Sequence, residues 1–393
     1  MRAFVNGSCG LVIISLFVSS ILHLPMFSNS SLTNNLHVSA AEQYNINLPQ
    51  LMRSPTFPTV FGAALSLTYP KTIDLMATAG NYWVRNDSVA WSNIEPTPGS
   101  YGWSSLGSLE TEMINARQRG MEKIIVVNST PDWAQKVSGY SCGPIKESEF
   151  PAFANFMFEL VSRYSQHPYN VKYWEIWNEP DIDPSLVAPD SGFGCWGDKT
   201  DPYYGGGYYA EMLKSVYPQI KHADPQAKVL IGGILLDCDP RTSGLCTGQD
   251  GSIPPRFLKG ILCRNGANDG GNYFDGVSYH AYDFYQAFGH YNNPGWNSSS
   301  DTTGPVVIAK AEFIKQVLNT YDVTGKFLMN TESAIICGCP NDPPGGPGCE
   351  SAPDSPFEQT KANYVTQVYA SAIAEGLSAN IWYHVFGWRI LRY

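Results

Sequence analysis

Eight short apolar runs, most of them rich in β-branched residues, alternate along this chain with longer segments whose apolar residues recur at helical spacing. The runs are Val60–Leu67, Tyr82–Asn86, Lys123–Asn128, Val171–Trp177, Lys228–Leu235, Gly276–Tyr282, Phe327–Thr331 and Ala379–Val385. Between them lie Lys71–Ala79, Leu106–Arg119, Phe150–Tyr164, Tyr208–His222, Pro255–Cys263, Val307–Tyr321 and Phe357–Glu375. In Phe150–Tyr164, for example, Phe153, Phe156, Met157, Leu160 and Val161 fall on one side. Alternation of this kind puts a parallel sheet inside a layer of helices. Eight strands with no Gly-rich dinucleotide fingerprint select the closed (β/α)8 TIM barrel over the open doubly wound sheet. No linker divides the body, so residues 59–393 read as one barrel domain. Only Phe386 to Tyr393 follow the last run. The barrel is therefore expected to lack a full eighth helix and to expose apolar surface where that helix would pack.

Residues 1–40 stand apart from this pattern. Met1, Arg2 and Ala3 lead into an apolar run from Leu11 to Leu24, and Val38-Ser39-Ala40 offers a small-residue cleavage site. This is the layout of a secretory signal, with residues 41–58 as a lead-in to the barrel and the membrane involved only if the segment stays uncleaved as an anchor. An extracellular destination suits the cysteines. Outside the signal there are eight: Cys142, Cys195, Cys238, Cys246, Cys263, Cys337, Cys339 and Cys349. Most sit in Gly/Pro/Asp-rich stretches and read as loop staples, with Cys238–Cys246 and a pair within 337–349 the most local options. No His or Cys pair accompanies Cys337-Gly-Cys339 at zinc spacing, so neither a metal nor a cofactor is expected.

A net charge of −10 argues against nucleic acid, which needs a basic face to displace counterions. Aromatic residues make up 13% of the chain, and their flat faces suit sugars as well as cores. In a barrel of this type the chemistry belongs at the C-terminal ends of the strands, and unusual polar residues collect there. The second strand runs into Arg85, the third into Trp133, the fourth into Asn178 and Glu179, the sixth into His280 and Tyr282, the seventh into Glu332, and the eighth into Trp382. Glu179 and Glu332 carry the sharpest signal. Strands four and seven stand on opposite sides of the barrel, so their two carboxylates can flank a sugar held across the mouth. One carboxyl to protonate a leaving oxygen and one to attack the anomeric carbon, roughly 5–5.5 Å apart, are the minimum for retaining glycoside hydrolysis. Glu175 shares the strand parity of Glu179 and reads as a buried structural acid.

Trp174–Asp181, with the sequence WEIWNEPD, resembles the motif of the clan A glycoside hydrolases and most resembles family 39 and its relatives. The resemblance spans about Thr59 to Trp388 and includes the WSNIEP and GSYGW elements between Trp91 and Trp103. It implies a (β/α)8 fold and a retaining mechanism, with Glu179 as acid/base and Glu332 as nucleophile. It further implies that Asn178 binds the sugar 2-hydroxyl, that Arg85 holds Glu332 ionised, and that Tyr282 with His280 orients the nucleophile. Trp382 would floor the subsite that binds the sugar being cleaved off, and Trp133 is the best single candidate for a stacking platform. Physical chemistry points the same way: a guanidinium lowers a carboxylate pKa, and aromatic neighbours could desolvate and raise that of Glu179. The residues alone leave the reverse assignment open.

The leading expectation is a secreted retaining hydrolase of β-linked glycosides or polysaccharides that needs no cofactor. A catalytically silent carbohydrate-binding barrel is the alternative. A metal-dependent barrel hydrolase fits poorly, because the first strand ends Leu65-Ser66-Leu67-Thr68 with no His-x-His.

Overall fold

Strands too apolar on both faces to sit at a surface must be covered on both, and here they close into a ring. The computed structural model describes residues 59–64, 67, 70–85, 88–236, 254–263, 269–285, 304–337 and 355–383. The export segment and lead-in, the cysteine pairs suggested within 238–246 and 337–349, and the chain after Tyr383 where an eighth helix was expected to be missing all lie outside the described residues. The strands are β1 (Phe61–Ala63), β2 (Trp83–Val84), β3 (Ser88–Ala90), β4 (Glu122–Asn128), β5 (Tyr173–Asn178), β6 (Lys228–Ile234), β7 (Gly276–Tyr285), β8 (Phe327–Cys337) and β9 (Ala379–Trp382). All are parallel and pair in the order β2-β1-β9-β8-β7-β6-β5-β4-β3, and β2 also pairs with β4. Both β2 and β3 lie along β4, at Glu122–Lys123 and at Val126–Asn128, so they are two pieces of one barrel strand interrupted at Arg85. The result is a closed eight-stranded barrel.

Helices α1 (Pro70–Thr78), α3 (Gly107–Gln118), α4 (Phe150–Tyr164), α5 (Gly206–Ala223), α6 (Pro254–Cys263), α7 (Val306–Thr320) and α8 (Pro356–Ala374) follow barrel strands one to seven; α2 (Trp91–Ile94) is a single turn after β3. Local sequence explains their limits. Ser355 caps α8 by accepting from the Glu358 amide at 3.3 Å, the first half of a Ser-x-x-Glu capping box. The five apolar residues singled out on α4 are all buried, each contributing about 1.5–3 kcal/mol. Leu75 on α1 and Ile373 on α8 are exposed. No described helix is long and apolar enough to cross a membrane.

Inside the ring, Ala64, Trp83, Ile124, Leu230, Met329, Ala379 and Ile381 form a small apolar cluster of their own. Further along the same strands buried polar residues take over, among them Arg85, Glu175 and His280. The barrel is thus filled with hydrocarbon at one level and with paired charge at the next.

Two strands run past the level at which the sequence pattern stops. β7 reaches Tyr285 and β8 reaches Cys337, and they stay paired from His280↔Glu332 to Tyr285↔Cys337. Glu332 therefore lies within a strand rather than at its end. The register shifts between Tyr279↔Asn330 and His280↔Glu332, leaving Thr331 as an extra residue on β8. Strict alternation from Met329, which faces the barrel interior, would send Glu332 outward. The bulge turns it into the mouth instead.

Candidate active site

Arg85, set in the break between β2 and β3, is the hub of the mouth. Its Nη1 donates to Glu332 Oε1 at 2.6 Å, its Nη2 to Glu175 Oε1 at 2.6 Å and to Asn178 Oδ1 at 2.7 Å, and its Nε to Glu175 Oε1 at 3.2 Å. Burial alone would depress the guanidinium pKa, but the charges of Glu175 and Glu332 raise it above the usual value. Glu175 is a fully buried structural acid, as its parity suggested, and its Oε1 also accepts from the Gly233 amide at 3.2 Å. Arg85→Met would leave two buried carboxylates facing each other without a cation. We expect a loss of about 3–5 kcal/mol, the usual consequence of breaking a buried pair from one side, measurable by urea denaturation.

Trp174 and Trp177, the tryptophans that precede Glu179 in the sequence, belong to the large core cluster. Trp177 takes a positive φ of 75° and Glu179 one of 48°, so alternation along β5 is broken at this point. Residues other than glycine held there cost about 1–3 kcal/mol and persist only where surroundings fix them. The Trp177 indole leaves the barrel, packs on Trp196 at 5.2 Å, and donates to the carbonyls of Cys142 and Gly194, both at 3.2 Å. Those carbonyls are tied together by the Cys142–Cys195 disulfide, which joins the loops after β4 and β5. Gly232 makes the turn possible: a Cβ there would lie 2.4 Å from the Ile176 carbonyl oxygen and 2.5 Å from that of Trp177. With Trp177 turned out, Asn178 reaches Arg85 and Glu179 faces across the mouth.

There Glu179 Oε1 lies 2.7 Å from His280 Nδ1, and the same nitrogen lies 3.5 Å from Glu332 Oε2. His280 was expected to sit beside Glu332 and orient it; it lies between the two glutamates and nearer to Glu179. Burial, the largest influence, pushes the imidazole down to about 4, so it is neutral. Space for the ring comes from Gly233, where a Cβ would lie 2.2 Å from His280 Nε2. Tyr282 donates its hydroxyl to Glu332 Oε2, so both oxygens of Glu332 are held. Burial and then the charge of Glu332 raise the Tyr282 hydroxyl well above its ordinary value. Ligand atoms of Glu179, His280 and Glu332 all lie within 4.8 Å of one another. Such a trio could hold a cation by distance alone, but the guanidinium 2.6 Å from Glu332 opposes that electrostatically.

Six of the eight residues picked out by sequence therefore converge: Arg85, Asn178, Glu179, His280, Tyr282 and Glu332. Trp382 does not join them. It packs in the layer between strands and helices, 6.1 Å from the Tyr364 ring on α8, because Ile381 and not its neighbour faces the barrel interior. Tyr383 takes that place instead, 6.3 Å from the Tyr282 ring, its hydroxyl pKa raised first by the charge of Glu332 and then by burial. Trp133 is half-buried on Trp91 at 5.2 Å and donates to the Glu95 carbonyl at 3.1 Å, which makes it a brace for the loop after β4 rather than a free platform. Cys263, at the end of α6, carries a free thiol.

Fold and site together define a (β/α)8 barrel with two opposed carboxylates at its C-terminal mouth. No protein-family model matches the sequence, and no curated protein does either. Solved structures do match. One is a family 39 glycoside hydrolase from the gut symbiont Bacteroides cellulosilyticus WH2, 18% identical over 83% of this chain and 56% of its own, with a TM-score of 0.54. Another is a glucosidase from Croceicoccus marinus, 14% identical over 83% of this chain and 60% of its own, TM-score 0.52. A third is the virulence factor SghA from Agrobacterium tumefaciens, 11% identical over 86% of this chain and 92% of its own, TM-score 0.54. The chain spans a little over half the length of the first two. At these identities the likeness establishes the barrel.

Proposed function

We propose that this chain is a secreted retaining glycoside hydrolase acting on β-linked glycosides or polysaccharides. The observation that carries the reading is the opposition of Glu179 and Glu332, with oxygens within 4.8 Å, each carboxylate having its own partner: His280 for the first, Arg85 with Tyr282 for the second. That separation suits direct attack by one carboxylate, whereas an inverting pair stands about 6.5–9.5 Å apart to admit a water. Glu332, paired with Arg85, attacks the anomeric carbon. Glu179 gives its proton to the departing oxygen as the glycosidic bond breaks, leaving a glycosyl ester on Glu332. Water then adds to the same carbon, Glu179 takes its proton, and Glu332 leaves as carboxylate. Asn178, whose Oδ1 is engaged by Arg85, has its amide N–H groups to offer to the sugar 2-hydroxyl. Tyr383 lines the nucleophile's side of the mouth. Export is supported by the N-terminal apolar segment and by the Cys142–Cys195 disulfide, which belongs in an oxidising compartment.

The test is a panel of 4-nitrophenyl β-xyloside, β-glucoside, β-mannoside and β-galactoside beside the matching β-linked polysaccharides. Turnover should appear on at least one, and proton NMR should show the β-anomer as first product. A first product in the α-form would make the enzyme inverting. Sugar binding without turnover on any of them would make it a silent barrel.

A further inference from the structure

Two buried charges next to the mouth have no part in the scheme above. Asp181, two residues beyond Glu179, is 1% exposed, and Lys310 on α7 is 6% exposed. Asp181 accepts the Leu235 amide on Oδ1 and the Leu236 amide on Oδ2, both at 2.8 Å. Lys310 Nζ donates to the Leu235 carbonyl at 2.7 Å and to the His280 carbonyl at 2.9 Å. One peptide unit, between Leu235 and Leu236, thus has its oxygen on Lys310 and its N–H on Asp181. Leu236 takes a φ of 44° there, a left-handed conformation for a residue that does not favour it, which presents two successive amides to one carboxylate. The loop carrying Glu179 is pinned to the end of β6, and the strand carrying His280 is pinned to the same peptide.

Resting on the two-glutamate reading, we propose that Asp181 and Lys310, joined through the Leu235–Leu236 peptide, are a positioning pair that aligns Glu179 with His280 and keeps their shared proton on Glu179. The charges act in the required sense. Burial pushes Asp181 up to about 7 against its two amide bonds, and the charge of Glu179 adds to the rise. Repulsion is mutual, so ionised Asp181 disfavours ionisation of Glu179. Lys310, for its part, adds to the forces that keep His280 unprotonated. Among the described residues, His280 and Tyr282 from β7, Glu332 from β8 and Tyr383 after β9 also act on Glu179, while Arg85 from the break in strand two and Glu175 from β5 act on His280. None of these is altered in the variants that follow.

Asp181→Asn and Lys310→Gln test the pair, the latter keeping N–H donors toward the two carbonyls. Each is assayed by kcat/KM on the phenyl β-glycoside, which needs protonation of its leaving group, and on the 2,4-dinitrophenyl β-glycoside, which does not; the sugar is the one turned over in the panel. Asp181→Asn should move the alkaline limb on the phenyl substrate to lower pH by about 0.5–1 unit, because a like charge has gone. Both variants should lose about tenfold or more on the phenyl substrate at neutral pH and no more than about threefold on the dinitrophenyl one. A purely structural role would lower both substrates together and leave the limb in place; that result overturns the proposal. Should Asp181→Asn not fold, the ratio between substrates in Lys310→Gln decides. Glu179→Ala separates the two levels. If it keeps full activity on the phenyl substrate, the two-glutamate reading itself falls. If it loses that activity while both brace variants behave as wild type, only the brace falls.

Discussion

Glu332→Gln should lower kcat by at least about 10⁴-fold while leaving the barrel folded. The amide has no charge with which to attack an anomeric carbon, so the covalent route closes. The surrounding electrostatics tolerate the change. Arg85 serves two buried carboxylates in the native site, and after the substitution it retains Glu175 at 2.6 Å, one cation to one anion. Tyr282 can still donate, now to the amide oxygen. This is the reverse of Arg85→Met, which strands both acids, so the two variants should separate catalysis from stability. Glu332→Gln is expected inactive with a melting temperature within a few degrees of native, and Arg85→Met inactive and markedly destabilised. Turnover of Glu332→Gln above about 1% of native on the best panel substrate would remove Glu332 from the nucleophile's role.

Most of the barrel can be read from the chain because its strands and helices announce themselves by period and by their ends. Phe150–Tyr164 is found where the apolar spacing puts it, and each of the eight strands is found within a few residues of its apolar run. The mouth is less legible for one physical reason: alternation fails on β5 and β8. Trp177 in a left-handed conformation and the extra Thr331 on β8 each reverse which side chains face inward. Counting parity from Met329 would turn Glu332 away, and only the motif points to it. The expectation for Trp382 failed in the opposite way, since β9 keeps its alternation and delivers Tyr383 instead. Gly232-Gly233 is a signal that the sequence does carry. Paired glycines in an apolar strand mark a close backbone approach, and here they admit the Trp177 turn and the His280 ring. Asp181 gave no such signal, because its partners lie 54 and 55 residues away, just past the end of β6.

Which glutamate does which job is settled by Glu179→Ala, through leaving groups and product stereochemistry. Without the acid, kcat/KM on the phenyl β-glycoside should fall by about 10²–10⁴-fold, the usual worth of general acid catalysis. On the 2,4-dinitrophenyl β-glycoside the loss in kcat/KM should be small, because that departing oxygen needs no proton. Its kcat should nevertheless drop, since the proposed mechanism also makes Glu179 the base that activates water against the ester on Glu332. A burst of dinitrophenol followed by a slow steady state is the expected trace. Azide needs no base and fits the space vacated beside His280, whose ring is fixed by Lys310 at its carbonyl and by Gly233 at its edge. It should restore kcat and yield the β-glycosyl azide, the product of two inversions at carbon. Were the roles reversed, Glu179→Ala would remove the nucleophile, azide would attack the substrate directly from the other face, and the product would be the α-azide. The geometry around the pair argues for the first outcome. Glu332 is gripped by a guanidinium on one oxygen and a phenol on the other, the environment of an anion, whereas Glu179 faces a neutral imidazole at 2.7 Å with Asp181 two residues away.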